Sequence, residues 1–140
     1  MNIKRLFLAA LLIAMSALMV SCAQATPVYA EGAEKDTVAA AVEPYAQNIL
    51  EGIRTLDYDL FSSNFDDTMK TAITPEQFDK ITTASFSGVG AFESMELTNV
   101  TVAGGYYRAN YTLTFENKVV IMGVVVHMEG MDAVSGLWFN

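Results

Sequence analysis

The spacing of apolar residues changes character three times along this chain. Behind Lys4-Arg5, the stretch from Leu6 to Val20 is apolar but for Ser16. It falls short of the ~20 residues a helix needs to cross a bilayer, and it has no polar face of the kind a surface helix keeps. A basic start followed by an apolar run of this size is the pattern of a secretory signal. From Asp36 onward the steps become three and four. Val38, Val42, Tyr45, Ile49 and Ile53 form one stripe, which predicts a helix that either kinks or begins at Pro44. Asp57 is a good N-cap for a second short helix carrying Leu60, Phe61 and Phe65 inward. Thr74-Pro75-Glu76-Gln77 predicts a third, with a threonine cap, proline in the first turn and Gln three residues after the cap. Phe78, Ile81 and Phe86 would face the core, and Gly88 and Gly90 would end that helix.

After Gly90 the period falls to two. Phe92 to Val102 alternates loosely, and Gly104-Gly105 marks a hairpin turn. Tyr106 to Phe115 alternates cleanly, with Tyr107, Ala109, Tyr111, Leu113 and Phe115 on one face. Lys118 to Met128 is almost wholly apolar, as a strand covered on both sides would be. Ala133 to Phe139 closes the chain. Helices followed by an antiparallel meander predict an α+β fold, with N-terminal helices packed on a curved four-stranded sheet. Helices cover only one face of such a sheet. The apolar character of Val119–Val126 on both faces therefore implies a second cover, either a homodimer partner on the sheet face or closure around a pocket for a small apolar ligand.

Cysteine usage sharpens the start of the chain. Cys22 is the only cysteine, so an internal disulfide is ruled out. Met19-Val20-Ser21-Cys22 resembles the lipobox of bacterial lipoproteins, departing from it in having Met where Leu is usual. That resemblance implies lipidation of the Cys22 sulfur and cleavage just before it. Cleavage after Ala23-Gln24-Ala25 or Val28-Tyr29-Ala30 would instead release a soluble protein. The expected organisation is a signal peptide over residues 1–21, lipidated Cys22 and a tether over 22–35, and one domain over 36–140. The product would sit on the extracytoplasmic side of a prokaryotic membrane, held by its lipid. Ala23 is not the Asp that resembles an inner-membrane retention signal.

Charge narrows the partners. The chain has 16 acids and 8 bases, and losing Lys4 and Arg5 with the signal leaves six bases and a net charge of −10. Such a surface disfavours nucleic acid and anionic lipid. About 115 residues follow the anchor, enough for a single core.

Several segments together resemble a known family, domain of unknown function 3887. They are Asp57-Tyr58-Asp59-Leu60-Phe61, Phe65-Asp66-Asp67-Thr68-Met69, Thr74-Pro75-Glu76-Gln77-Phe78, Gly88 with Gly90-Ala91-Phe92, and Gly136-Leu137-Trp138-Phe139. The family is similar to the nuclear-transport-factor-two-like, cystatin-like group, which implies a cone-shaped sheet wrapped over helices, often with a pocket and often dimeric. Some members precede α/β-hydrolase domains, but no Gly-x-Ser-x-Gly nucleophile elbow occurs up to Asn140.

Candidate chemistry is thin. His127, the one histidine, is a candidate general base if Asp57, Asp59 or Asp132 lies beside it. Asp57, Asp59, Asp66 and Asp67 lack the spacing, glycine and terminal glutamate of a calcium loop and suit helix caps better. No metal site and no cofactor is expected. Tyr106, Tyr107, Tyr111 and Trp138 are candidates for an aromatic binding cleft. Asn99-Val100-Thr101 and Asn110-Tyr111-Thr112 match glycosylation sequons, but both fall in predicted strands. The expected function is a non-catalytic envelope lipoprotein that binds a small ligand or a protein. A pocket enzyme using His127 and a structural dimerisation module are the alternatives.

Overall fold

The computed structural model describes residues 26–140, so the expected signal peptide and Cys22 lie outside the described residues. The long apolar stripe becomes α1, Gly32–Thr55, which buries Val38, Val42, Ala46, Ile49 and Ile53. It runs through Pro44 rather than beginning there. Its C-terminus is closed by Leu56 in the left-handed conformation, φ 56°, and the Asp57 N–H returns to the Gly52 carbonyl at 2.8 Å.

Gly52 is a packing glycine. A Cβ there would meet the backbone of Phe61 at about 2.5 Å, so the next helix, α2 at Tyr58–Phe61, can press directly against α1. Asp57 caps α2 by accepting from the Leu60 N–H, and Asp66 caps α3, Asp67–Ala72, by accepting from Met69. Thr74 caps α4, Pro75–Phe86, through a long 3.4 Å bond from the Gln77 N–H. Asp57 and Asp66, two of the aspartates that suit helix caps better than a calcium loop, stand at helix starts. Phe61, Phe65 and Phe78 pack ring on ring, with centroids 4.7–5.0 Å apart.

The sheet has five antiparallel strands in chain order: β1 Val28–Tyr29, β2 Phe92–Ala103, β3 Tyr106–Phe115, β4 Val119–His127 and β5 Val134–Phe139. The expectation of four strands, and of the cone built from them, was therefore inexact. Two residues of the stretch expected to be tether pair with β2, Val28 opposite Val102 and Tyr29 opposite Thr101. The cause is a free sheet edge. β2 has backbone groups to satisfy on its outer side, and the incoming chain supplies them, down to an Ala30 N–H bond on the Val100 carbonyl.

The helices lie on one face of the sheet, here called the inner face. On it Tyr107, Ala109, Tyr111, Leu113 and Phe115 of β3 meet Val120, Met122, Val124 and Val126 of β4, all buried. This is the phase that the alternation of β3 predicts. The molecule has two distinct ends. The hairpin end holds the Gly104–Gly105 turn, the β4–β5 turn and the start of β1. The opposite end holds the C-terminus of α1, the loop before β2 and the Phe115–Val119 turn.

Candidate functional site

At that opposite end a cleft of about 320 Å³ opens between the helices and the sheet. Ile53 and Arg54 come from the last turn of α1, Phe86 from the end of α4, Val89–Ala91 from the following loop, Phe92 from the start of β2 and Phe115 from the end of β3. Its aromatic wall is continuous. Phe115 meets Phe86 at 5.9 Å and Phe92 at 5.7 Å, edge to face, and Phe139 backs Phe86 at 5.1 Å. The loop is braced, because Glu116 and Asn117 donate their N–H groups to the carbonyls of Ala91 and Val89 at 2.8 and 2.9 Å.

Arg54 is the one charged residue in the lining. Its guanidinium stacks over Phe92, 5.0 Å from the ring centroid, and donates one N–H to Glu51 at 2.8 Å. Five N–H groups in a planar fork leave others free for a second acceptor. Arg54 and Phe92 also form the wall shared with a neighbouring groove of about 460 Å³ that carries Glu43, Glu51 and Glu93. The arrangement is an open slot of mixed polarity, aromatic along one wall, with the Arg54 guanidinium at one edge, the Glu116 carboxylate beside Gly90 and Ala91, and an acidic flank beyond.

The residues singled out from the sequence do not gather around this cleft. Tyr107 and Tyr111 belong to the inner face and are buried there. The Tyr107 hydroxyl donates to Glu34 at 2.7 Å, and that bond raises its pKa above the usual tyrosine value, with burial adding to it. Tyr111 has no partner for its hydroxyl, and burial pushes its pKa up, with the charge of Glu43 acting the same way. Trp138 lies on the outer face. Its indole covers Gly123 so closely that a Cβ there would collide with the ring, and its Nε1 is buried without a partner. Arg108 stands 5.8 Å from the same ring.

His127 is exposed at the hairpin end and stacks on Tyr106, centroids 4.4 Å apart. Its charge reaches the Asp66 carboxylate at the start of α3. The Asp66 carboxyl is held below the ordinary range first by the Met69 N–H. The neighbouring Ser135 hydroxyl and His127 act in the same direction, although Ser135 Oγ completes no hydrogen bond. The asparagines of the two sequons meet across β2 and β3, Asn110 Nδ2 donating to Asn99 Oδ1 at 2.7 Å. Among the described residues no three His, Cys, Asp or Glu side chains gather as a metal site, and no helix is long and apolar enough to cross a membrane.

The cleft residues carry no local signature. Their positions follow helix-end and strand-end rules, and only Gly90-Ala91-Phe92 hinted that a turn with an aromatic exit lay there. No curated protein and no solved structure matches the chain. Residues 46–129 match the family described as protein of unknown function (DUF3887), a span containing every residue that lines the cleft but neither β1 nor Trp138. With more than half its length matched, the chain belongs to the DUF3887 family of proteins of unknown function.

Proposed function

We propose that this protein is an exported, lipid-anchored binding domain, non-catalytic, that takes a small apolar ligand carrying an anionic group. The observation that supports this reading is the aromatic cleft with Arg54 at its edge. Its volume is at the small end of the ~300–1,000 Å³ range of ligand sites, and its three phenylalanine rings stand beside polar groups of the loop and Arg54. Phe86, Phe92 and Phe115 would hold the ligand body, and the free N–H groups of Arg54 would hold a carboxylate or sulfonate. In this reading the fold is a five-stranded relative of the cystatin-like cone, with the cleft at its open mouth.

The anilinonaphthalene sulfonate dye has the matching chemistry, a fused aromatic body and one sulfonate. One molecule is expected to bind per chain with enhanced emission. Ala91→Trp, a cleft-filling change at an exposed position, should abolish that binding, and Arg54→Ala should weaken it about tenfold, a typical loss for one charge-assisted contact. Binding unchanged in Ala91→Trp would mean the cleft is not the site. The anchor is tested separately. Cys22→Ala should move the protein from the membrane fraction to the soluble fraction, and continued membrane association would defeat that part.

A second reading has its own observation. On the outer face Trp138 Nε1 and Asn110 Oδ1 flank Gly123 in one row across three strands, both buried and unpaired. Ile121 and Val125 stand half-exposed beside them. A protein partner or a second copy docking there would supply both hydrogen bonds once the indole and the amide turn outward. Sedimentation showing a monomer at high micromolar concentration would remove self-association from this reading. A pocket enzyme built on His127 finds less support, since none of the clefts described above is lined by it.

A further inference from the structure

The hairpin end of the sheet differs from the rest of the surface in what it exposes. Among the described residues six large apolar side chains are exposed, and four of them, Val28, Tyr29, Tyr106 and Met128, cluster at this end. The pairing places them at one end of the sheet, on both of its faces, from β1 across to the end of β4. Val28 lies opposite Val102 at the end of β2, Tyr106 opposite Ala103 and His127, and the Met128 N–H is bonded to Gly105 in the hairpin turn. The other two, Leu56 and Val119, stand singly toward the opposite end.

The chain also enters the fold at this end. Pro27 is five residues beyond Cys22, so the Cα of Cys22 lies within about 18 Å of Pro27 at full extension. Crossing one headgroup layer uses about 5–8 Å of that length. α1, with 24 residues, is about 36 Å long and leads away from this end, so the roughly 10–13 Å of tether that remain reach only about a third of its length.

We infer that the hairpin end is a membrane-contact surface, with Val28, Tyr29, Tyr106 and Met128 seated in the headgroup layer of the bilayer that holds Cys22. This rests on the lipid-anchor reading proposed above. Tyrosine suits that depth because its ring is apolar and its hydroxyl stays wet. Arg108, exposed two residues beyond Tyr106, would reach lipid phosphate by leaving the Trp138 ring while its stem stays beside the apolar group. The acids of the chain make neutral lipid the suitable surface. The ligand cleft is thereby held away from the membrane, open to the space beyond it.

Hydrogen exchange on the chain from Cys22 to Asn140, which contains every described residue, tests the idea without altering the domain. The Cys22 thiol is coupled to a maleimide lipid in phosphatidylcholine vesicles, and exchange is compared with the thiol-capped protein in solution. Peptides over residues 26–30, 103–107 and 127–131 should slow about fivefold or more, while those over 54–57 and 116–119 stay unchanged. Replacing Tyr106 and Met128 together by Ser should return exchange at 103–107 and 127–131 to the solution rate. Protection at the opposite end, uniform protection, or none would overturn the inference. So would equal protection of concentrated protein without vesicles, which would make the occupant a second copy. Because the coupling is chemical, the result stands apart from whether cells lipidate Cys22, which the Cys22→Ala fractionation decides.

Discussion

The two faces of the sheet are built from the same strands by the same alternation, yet they obey different rules. On the inner face each position of β3 and β4 is filled by a buried apolar or aromatic side chain under α1. The outer face is divided. Its β2–β3 half is polar, with Glu96, Thr98, Asn99, Asn110 and Thr112, and its β4–β5 half is apolar, with Ile121, Val125 and Trp138. The apolar half is only partly covered, and its cover is Trp138, a side chain from the neighbouring strand lying over Gly123. An inner face that must meet a helix is specified by volume at every position. An outer face that meets water is specified only where two of its own side chains touch.

That contrast is open to test, starting with the largest effect. Leu113→Ala, at a fully buried inner position, should lower unfolding stability by about 3 kcal/mol in urea titration, against about 0.5 kcal/mol or less for Thr112→Ala on the outer side. A comparable loss from both would erase the distinction. Gly123→Ala should cost about 2 kcal/mol by displacing the Trp138 indole, with a shift in the emission of the one tryptophan. No shift would mean the ring does not rest there.

Tyr111 reverses the sign on the inner face. Its hydroxyl is buried without a partner, so Tyr111→Phe should raise stability by about 1 kcal/mol near neutral pH. Its pKa is raised in the folded state, so stability is intact below about pH 10 and falls as pH rises beyond it; the phenylalanine variant should lose less there, read from alkaline unfolding curves. The smallest effect belongs to the border of the two faces. Asp66 has a lowered folded pKa, so its contribution is present above about pH 4 and is lost as pH falls through the folded value. Asp66→Asn keeps a capping side chain but removes that titration, and its acid-unfolding curve should be shallower than that of the wild type.

Much of the architecture was legible because it is written in short-range patterns. The alternation of Tyr107 to Phe115 gave its buried face outright, and Asp57 and Thr74 announced two helix starts. The family was legible too, through the spacing of caps and turns in Asp57–Phe61, Phe65–Met69 and Thr74–Phe78. The cleft was not, since Arg54, Phe86, Phe92 and Phe115 come from the ends of four elements and have no common period. Nor was the separation of the four candidate aromatics, because the strand period states which residues share a face but not what the face meets.

The sequence by itself determined the class of each main element, the inner phase of β3, the acidic surface and the pattern around Cys22. These depend on neighbours within a few residues, where backbone sterics and periodicity act. Only the tertiary structure decided that Val28–Tyr29 becomes a fifth strand, that Gly52 and Gly123 admit a neighbouring backbone and an indole, and that three phenylalanines and an arginine converge on one opening. Each depends on a partner distant in the chain, which is chosen when the sheet and helices close around a shared core.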